Sequence, residues 1–209
     1  MTVVNNLNKK QVKISNAVAR MRYSSNEYVK TSRWEGRIIA IVAAQVSIED
    51  DEFREYKIPI RFLEKIAGLK KSGNLSKRLL EVARTLAKRY IEIEGQNGWA
   101  FYSLFSECHY IKGDKHITVR FDPDLKDHYI GIKKHFTTFI LDEYLSLPST
   151  YSQHLYHFLR SWDDQIGREL KFSVEYLHKK LNAPTYMRKN YAEFKRYALD
   201  IAKKSISIN

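Results

Sequence analysis

Three stretches carry residue types able to do chemistry. HLYH sets His154 and His157 one helical turn apart, a spacing at which two imidazoles can share a metal ion. No Cys pair or H-E-x-x-H arrangement accompanies them, so satisfied or exposed histidines are expected and no metal site. GLKKSGNLSK places Gly68 and Gly73 at the first spacing of a phosphate-cradling loop, yet Asn74 and Leu75 stand where that loop needs Lys and Ser or Thr. CHYIKGDKHITV separates His109 from His116 by six residues, whereas a metal-dependent DNA-nicking site wants two histidines flanking one apolar residue in a strand. None of the 14 tyrosines is singled out as a nucleophile, and no Ser, His and Asp spacing selects a triad. The chain is read as not an enzyme, with no cofactor.

The charge favours binding instead. Lys plus Arg number 36 against 24 Asp plus Glu, a formal net charge of +12, in 209 residues. That balance favours a polyanionic partner, with nucleic acid the leading class. Two helical stretches concentrate it. Turning about 100° per residue, the C-terminal stretch YMRKNYAEFKRYALDIAKKS puts Tyr191, Phe194, Ala198, Ile201 and Ser205 on one side. Arg188, Lys189, Lys195, Arg196 and Lys203 gather opposite. The bland reading is a solvated face; as the third helix of a winged helix, the same face sits where Arg bonds guanine and Lys neutralises phosphate. The second stretch crowds Lys70, Lys71, Asn74, Ser76, Lys77 and Arg78 at the N-terminal end of a helix, where free backbone N–H groups also favour phosphate. The hairpin tip GQNGW is read mainly as a turn, with Trp99 in the core.

The elements that position these residues follow from periodicity and turn signals. Ser32 and Glu35 have capping-box spacing before GRIIAIVAAQV, a buried helix. YKIPI is a short strand that Pro59 confines to an edge or an end, and RFLEKIAGL a short helix. In LSKRLLEVARTLAKRY, Leu75, Leu79, Val82, Leu86 and Tyr90 recur every three or four residues. YIEIE, WAFYSLFSECHYI and KHITVRFD then read as a three-stranded meander broken at GQNG and KGD. Helix, strand, two helices and an antiparallel ribbon make a winged helix. The second half repeats that order in abbreviated form: a helix with a possible T-x-x-Q box at Thr150 and Gln153, a strand ELKFS, a helix VEYLHKKL, a loop at Pro184 and the terminal helix. Residues 122–135 form the expected linker.

With 44% apolar residues and 13% aromatics the chain can bury real cores. The single Cys108 permits no internal disulfide and is read as a buried thiol in a reducing compartment. No stretch approaches the roughly 18 apolar residues of a membrane span, and the N-terminus has no signal-peptide core, so a cytoplasmic protein is expected.

Several of these stretches resemble one family, the initiator replication proteins of iteron-containing, theta-replicating plasmids. The resemblance covers residues 14–209 and rests on SRWEGRIIAIVAAQV, FDPDL, HFTTFILDEYLSLPSTYSQHLYHFLRSW and YAEFKRYALDIAKKSISIN. Its most specific features are F-T-x-F-x-L paired with Y-S-x-x-L-Y, then F-K-R-x-x-L-D further on, in which Lys195 and Arg196 are the family's basic pair. It implies two tandem winged-helix domains in an α+β chain, in agreement with the element order, from which residues 1–13 are read as a flexible N-terminus, 14–130 as a first domain and 131–209 as a second. It also implies binding to direct repeats of a double-stranded origin and to an operator inverted repeat. Host initiator and replicative helicase would be recruited, and repressing dimers would exchange with initiating monomers. Two departures stand out: LDIA replaces the usual L-D-P-A, and the chain stops at Asn209 where the family continues into a wing, so the second domain is expected to lack its wing and to leave Tyr191, Phe194 and Ile201 less covered. A winged-helix transcriptional repressor with no role in initiation is the alternative.

Overall fold

The computed structural model describes residues 9–24, 32–47, 49–67, 75–95, 98–163 and 169–206. In chain order the first elements are β1 (Gln11–Ser15), α1 (Asn16–Ala19), β2 (Arg22–Ser24), α2 (Arg33–Ala43), β3 (Tyr56–Pro59), α3 (Ile60–Ala67) and α4 (Leu75–Ala87). Two hairpins follow, β4 (Tyr90–Gly95) with β5 (Gly98–Ser103), and β6 (Phe105–His109) with β7 (His116–Phe121). A 3-10 turn (Pro123–Leu125) leads to α5 (Lys126–Tyr129), β8 (Phe136–Ile140), α6 (Leu141–Ser146) and α7 (Thr150–Arg160). The chain then runs through α8 (Val174–Lys180), α9 (Thr185–Lys189), α10 (Tyr191–Phe194), a π turn (Lys195–Leu199) and α11 (Asp200–Ser205). The class is α+β.

Instead of one meander the strands make three small antiparallel sheets, ordered β1-β8, β2-β4-β5 and β3-β7-β6. The expected strand WAFYSLFSECHYI breaks at Leu104. That side chain is fully buried, its N–H donates to the Arg89 carbonyl at 2.9 Å and its carbonyl accepts from the Asp122 N–H at 3.3 Å. Pinned there, the chain turns out of one sheet and into another. Pro59 does lie on an edge, at the end of β3 opposite His116, where its missing N–H costs no ladder bond.

Four other expectations change. Gln11–Lys13, expected to be flexible, belong to β1, which buries Val12 and Ile14 and pairs with β8. The expected linker carries the 3-10 turn and α5, with Leu125, Tyr129, Ile130 and Ile132 buried. ELKFS forms no strand: among the described residues no strand offers it a ladder, Phe172 packs on Phe158 and Tyr176, and Ser173 caps α8. The N-cap of α7 is Ser149, whose Oγ accepts from the Ser152 N–H, and not Thr150; Gln153 reaches away to the Arg33 carbonyl at 3.2 Å.

One apolar core runs from Val12 to Tyr156, across the domain boundary expected after residue 130. A second contains Leu181, Ala183, Met187, Phe194 and Ala198. Helix α2 is built into the first by polar contacts with the α6–α7 corner: Arg33 and Arg37 donate to the carbonyls of Pro148 and Leu147 at 2.8 and 3.3 Å. At Gly36 an added Cβ would lie 2.8 Å from both Gln153 Oε1 and the Tyr144 hydroxyl, so the helices approach this closely only at glycine.

Glu35 does more than cap α2. Its carboxylate accepts from the Ser32 N–H at 2.9 Å, the Glu half of the expected box, and also receives Arg89 Nη2 at 2.9 and 3.0 Å. Glu35 is 2% exposed and Arg89 6%, so the pair ties the start of α2 to the turn after α4 inside the core. Burial raises the Glu35 carboxyl, while the Arg89 guanidinium and the Ser32 N–H pull it back down. Arg89→Met strands the carboxylate and is expected to cost about 3–5 kcal/mol in urea unfolding, with Glu35→Met/Arg89→Met recovering most of it. Equal losses in the single and double variants would contradict this role.

Candidate nucleic-acid interface

The terminal helical stretch is not a uniform α-helix. Asn190 caps α10 through Oδ1, accepting from the Glu193 N–H at 3.3 Å. In the π turn the Asp200 N–H donates to the Lys195 carbonyl, an i to i+5 bond. Such a turn inserts one residue and rotates everything beyond it. Phe194, Ala198 and Ala202, spaced by four, all have 0% exposure. Arg196 and Lys204, two places on from Phe194 and Ala202, are exposed and form the row facing away from the core. Tyr191, Lys195, Leu199, Asp200 and Lys203 make a flank, bordering with Leu155 and Leu159 of α7 a groove of about 440 Å³.

This register corrects the face drawn on a uniform 100° helix. Ile201 and Ser205 are half-buried at the margin, and Ala202 takes the inner position. Phe194, expected to be poorly covered, lies fully buried with its ring 4.3 Å from that of His178, because α8 and α9 close over it. Tyr191 is exposed. Lys204, not singled out from the sequence, joins the outward row; the spacing of Phe194, Ala198 and Ala202 by four was the available signal.

All five cations assigned to this face are exposed: Arg188 and Lys189 at the end of α9, Lys195 and Arg196 in the π turn, and Lys203 on α11. The Arg196 guanidinium lies 5.2 Å from the centre of the Tyr197 ring. Among the described residues no carboxylate pairs with Arg188, Lys189, Arg196 or Lys203. Lys195 differs: its Nζ contacts both Asp200 oxygens at 2.7 and 2.8 Å, and that hydrogen bond raises its pKa.

Of the other assigned group, Lys70, Lys71 and Asn74 lie outside the described residues, as do the side chains of Ser76 and Arg78 on α4. Lys77 is exposed on α4, whose buried side carries Leu79, Val82 and Leu86. Arg84 on the same helix and Lys88 just after it are exposed too and were not singled out. The GLKKSGN part of the rejected phosphate loop also falls outside the described residues.

Trp99 is not a core residue. It is 71% exposed, edge-on to the exposed Phe101 at 5.0 Å, which in turn meets Tyr90 at 5.4 Å. Strand alternation explains it: Trp99, Phe101 and Ser103 share the outer face of β5, while Ala100 and Tyr102 turn inward.

His157 is packed into the first core, and His154 is half-buried beside it. His157 is 8% exposed and stacks on Tyr144 with ring centres 4.4 Å apart. Burial disfavours the imidazolium, lowering His157 to about 3 and His154 to about 4. Among the described residues no three His, Cys, Asp or Glu side chains are grouped to hold a metal. Cys108 is half-buried, and burial pushes its thiol up to about 11.

The chain matches known proteins in two ways. Residues 11–160 match the profile of a family described as "Initiator Replication protein, WH1". The Pi initiator protein, solved in complex with iteron DNA, shares the fold at a TM-score of 0.69 and 19% identity, over 95% of this chain and 86% of that one. No curated protein sequence matches. Among the described residues no helix is long and apolar enough to cross a membrane.

The depressed His157 pKa has a directional consequence. Between about 3 and the ordinary 6.5 the unfolded state binds the proton and the folded state does not, so stability is full above about 6.5 and is lost as pH falls, by at most about 1.4 kcal/mol per pH unit. His157→Phe is expected to flatten the dependence of urea-unfolding free energy between pH 6.5 and pH 5; an unchanged slope would refute it.

Proposed function

Since the chain belongs to the initiator replication protein family, we propose that it initiates plasmid replication by binding repeated origin sequences in double-stranded DNA. In this reading the rod formed by α10, the π turn and α11 enters one groove and α4 another, each presented by a winged-helix domain. The single observation that carries it is the rod itself. It buries Phe194, Ala198 and Ala202 and turns Arg196 and Lys204 outward, with Arg188, Lys189 and Lys203 exposed nearby and no acidic partner for Arg188, Lys189, Arg196 or Lys203 among the described residues. The fold shared with the Pi initiator protein supports the same reading, since that protein is seen with iteron DNA.

The roles divide by chemistry. Arg196 can make paired hydrogen bonds to a guanine edge, while Arg188, Lys189, Lys203 and Lys204 neutralise phosphate. Lys70, Lys71, Lys77 and Arg78 do the same for the second groove, where Asn74 and Ser76 donate hydrogen bonds to phosphate, aided by the N-terminus of α4. No cofactor enters. Recruitment of host initiator and replicative helicase, repression of its own promoter by a dimer, and initiation by a monomer complete the proposal, on the strength of family membership.

About six to eight phosphate contacts give a log–log slope of affinity against salt of roughly −5 to −7; a slope near zero in fluorescence-anisotropy titrations would overturn the DNA reading. Arg196→Ala is expected to weaken binding and to relax discrimination at one base position by roughly 1–3 kcal/mol. Binding to direct repeats about two helical turns apart, roughly 20 base pairs, supports initiation. Binding confined to an inverted repeat supports a repressor without that role.

A further inference from the structure

We propose that Asp200 is a specificity-determining residue of the rod: its carboxylate holds Lys195 away from phosphate on arbitrary duplex and releases it when a cytosine amino group is presented. This rests on the reading of the rod as a groove-entering element.

The geometry is particular. In a regular α-helix, side chains five apart are about 140° out of phase and do not meet. Here the π turn draws Lys195 and Asp200 together twice, through the main-chain bond from the Asp200 N–H to the Lys195 carbonyl and through both carboxylate oxygens on Nζ. Asp200 is four residues from both Arg196 and Lys204, but it is half-buried and lines the groove beside α7 together with Lys195 and Lys203, and its contact is to Lys195. The two side chains are 52% and 41% exposed, so the pair contributes little to folding. Its effect falls on what approaches the face.

A partly exposed carboxylate on the flank beside Lys195 and Lys203 opposes phosphate and engages one of the cations that would otherwise bind it. Both effects lower affinity for any duplex. In a major groove a carboxylate accepts best from cytosine N4. Where that amine is positioned, the acceptor is satisfied, Lys195 is freed for a nearby phosphate, and the charge that hinders arbitrary DNA assists the right one. Specificity then arises partly by penalising the wrong partner.

The test uses the full chain, a random-sequence duplex and duplexes enriched by the unaltered protein from a randomised pool. Asp200→Asn keeps the shape and removes the charge. It is expected to tighten binding to random duplex, to steepen the salt slope there by about 0.9, and to lower the ratio of selected to random affinity about fivefold or more. Adding Lys195→Met is expected to remove most of the gain on random duplex and the added salt slope, leaving only the relief of direct repulsion. Equal shifts on both DNA classes, or a gain undiminished by Lys195→Met, overturn the inference. Loss of salt-dependent binding by the unaltered protein would instead overturn the DNA reading, so the two failures are distinct. Unchanged thermal melting of Asp200→Asn confirms that binding alone is being read.

Discussion

Helix α7 belongs to two apolar cores at once, and the placement of the rod depends on that sharing. Tyr156 and His157 face the first core, against Phe139 and Tyr144. Tyr151 and Leu155 face the second, where the Tyr151 hydroxyl meets Met187 Sδ at 3.9 Å. Ser152, fully buried, lets α11 come close enough for Ser205 Oγ to reach Ser152 Oγ at 3.3 Å. A packed interior transmits such positions because it has little room to yield. The rod is thus oriented by a helix whose other side is held by Gln153 against α2, with Gly36 allowing the approach.

A polar clasp reinforces the same link. Arg20 donates to Ser161 Oγ and to its carbonyl at 2.8 and 2.7 Å and lies over the Trp162 ring at 3.9 Å, while Lys180 of α8 donates to the Arg20 carbonyl. The end of α7 and the end of α8 are therefore both fastened to the turn after α1. The two ion pairs that matter most differ in setting. Glu35 and Arg89 are enclosed, so each depends on the other to satisfy its charge and together they define how α2 meets the end of α4. Lys195 and Asp200 stand in water, where a pair is readily exchanged for another partner. A buried pair suits architecture; an exposed one suits selection among ligands.

Much was legible from residues in order. The α2 and α4 helices, the edge position of Pro59, the exposed cations of the terminal stretch and the family itself follow from local periodicity, proline chemistry and motif spacing. Trp99 was misplaced because an apolar side chain near a turn gives no sign of which strand face it joins, and ELKFS because alternation makes a strand only where a neighbour supplies a ladder. Glu35 reads as a cap from its spacing to Ser32; its partner Arg89 is 54 residues away.

By itself, then, the sequence determined the helical segments, the cationic character and the α+β family, since these arise from neighbours along the chain. Only the tertiary structure decided that Leu104 divides a strand between two sheets, that the first core closes at α7, and that a π turn brings Asp200 onto Lys195 while Arg196 and Lys204 face outward. Each of those depends on which distant surfaces meet, and a shift of a single residue in helical phase is set by packing against them.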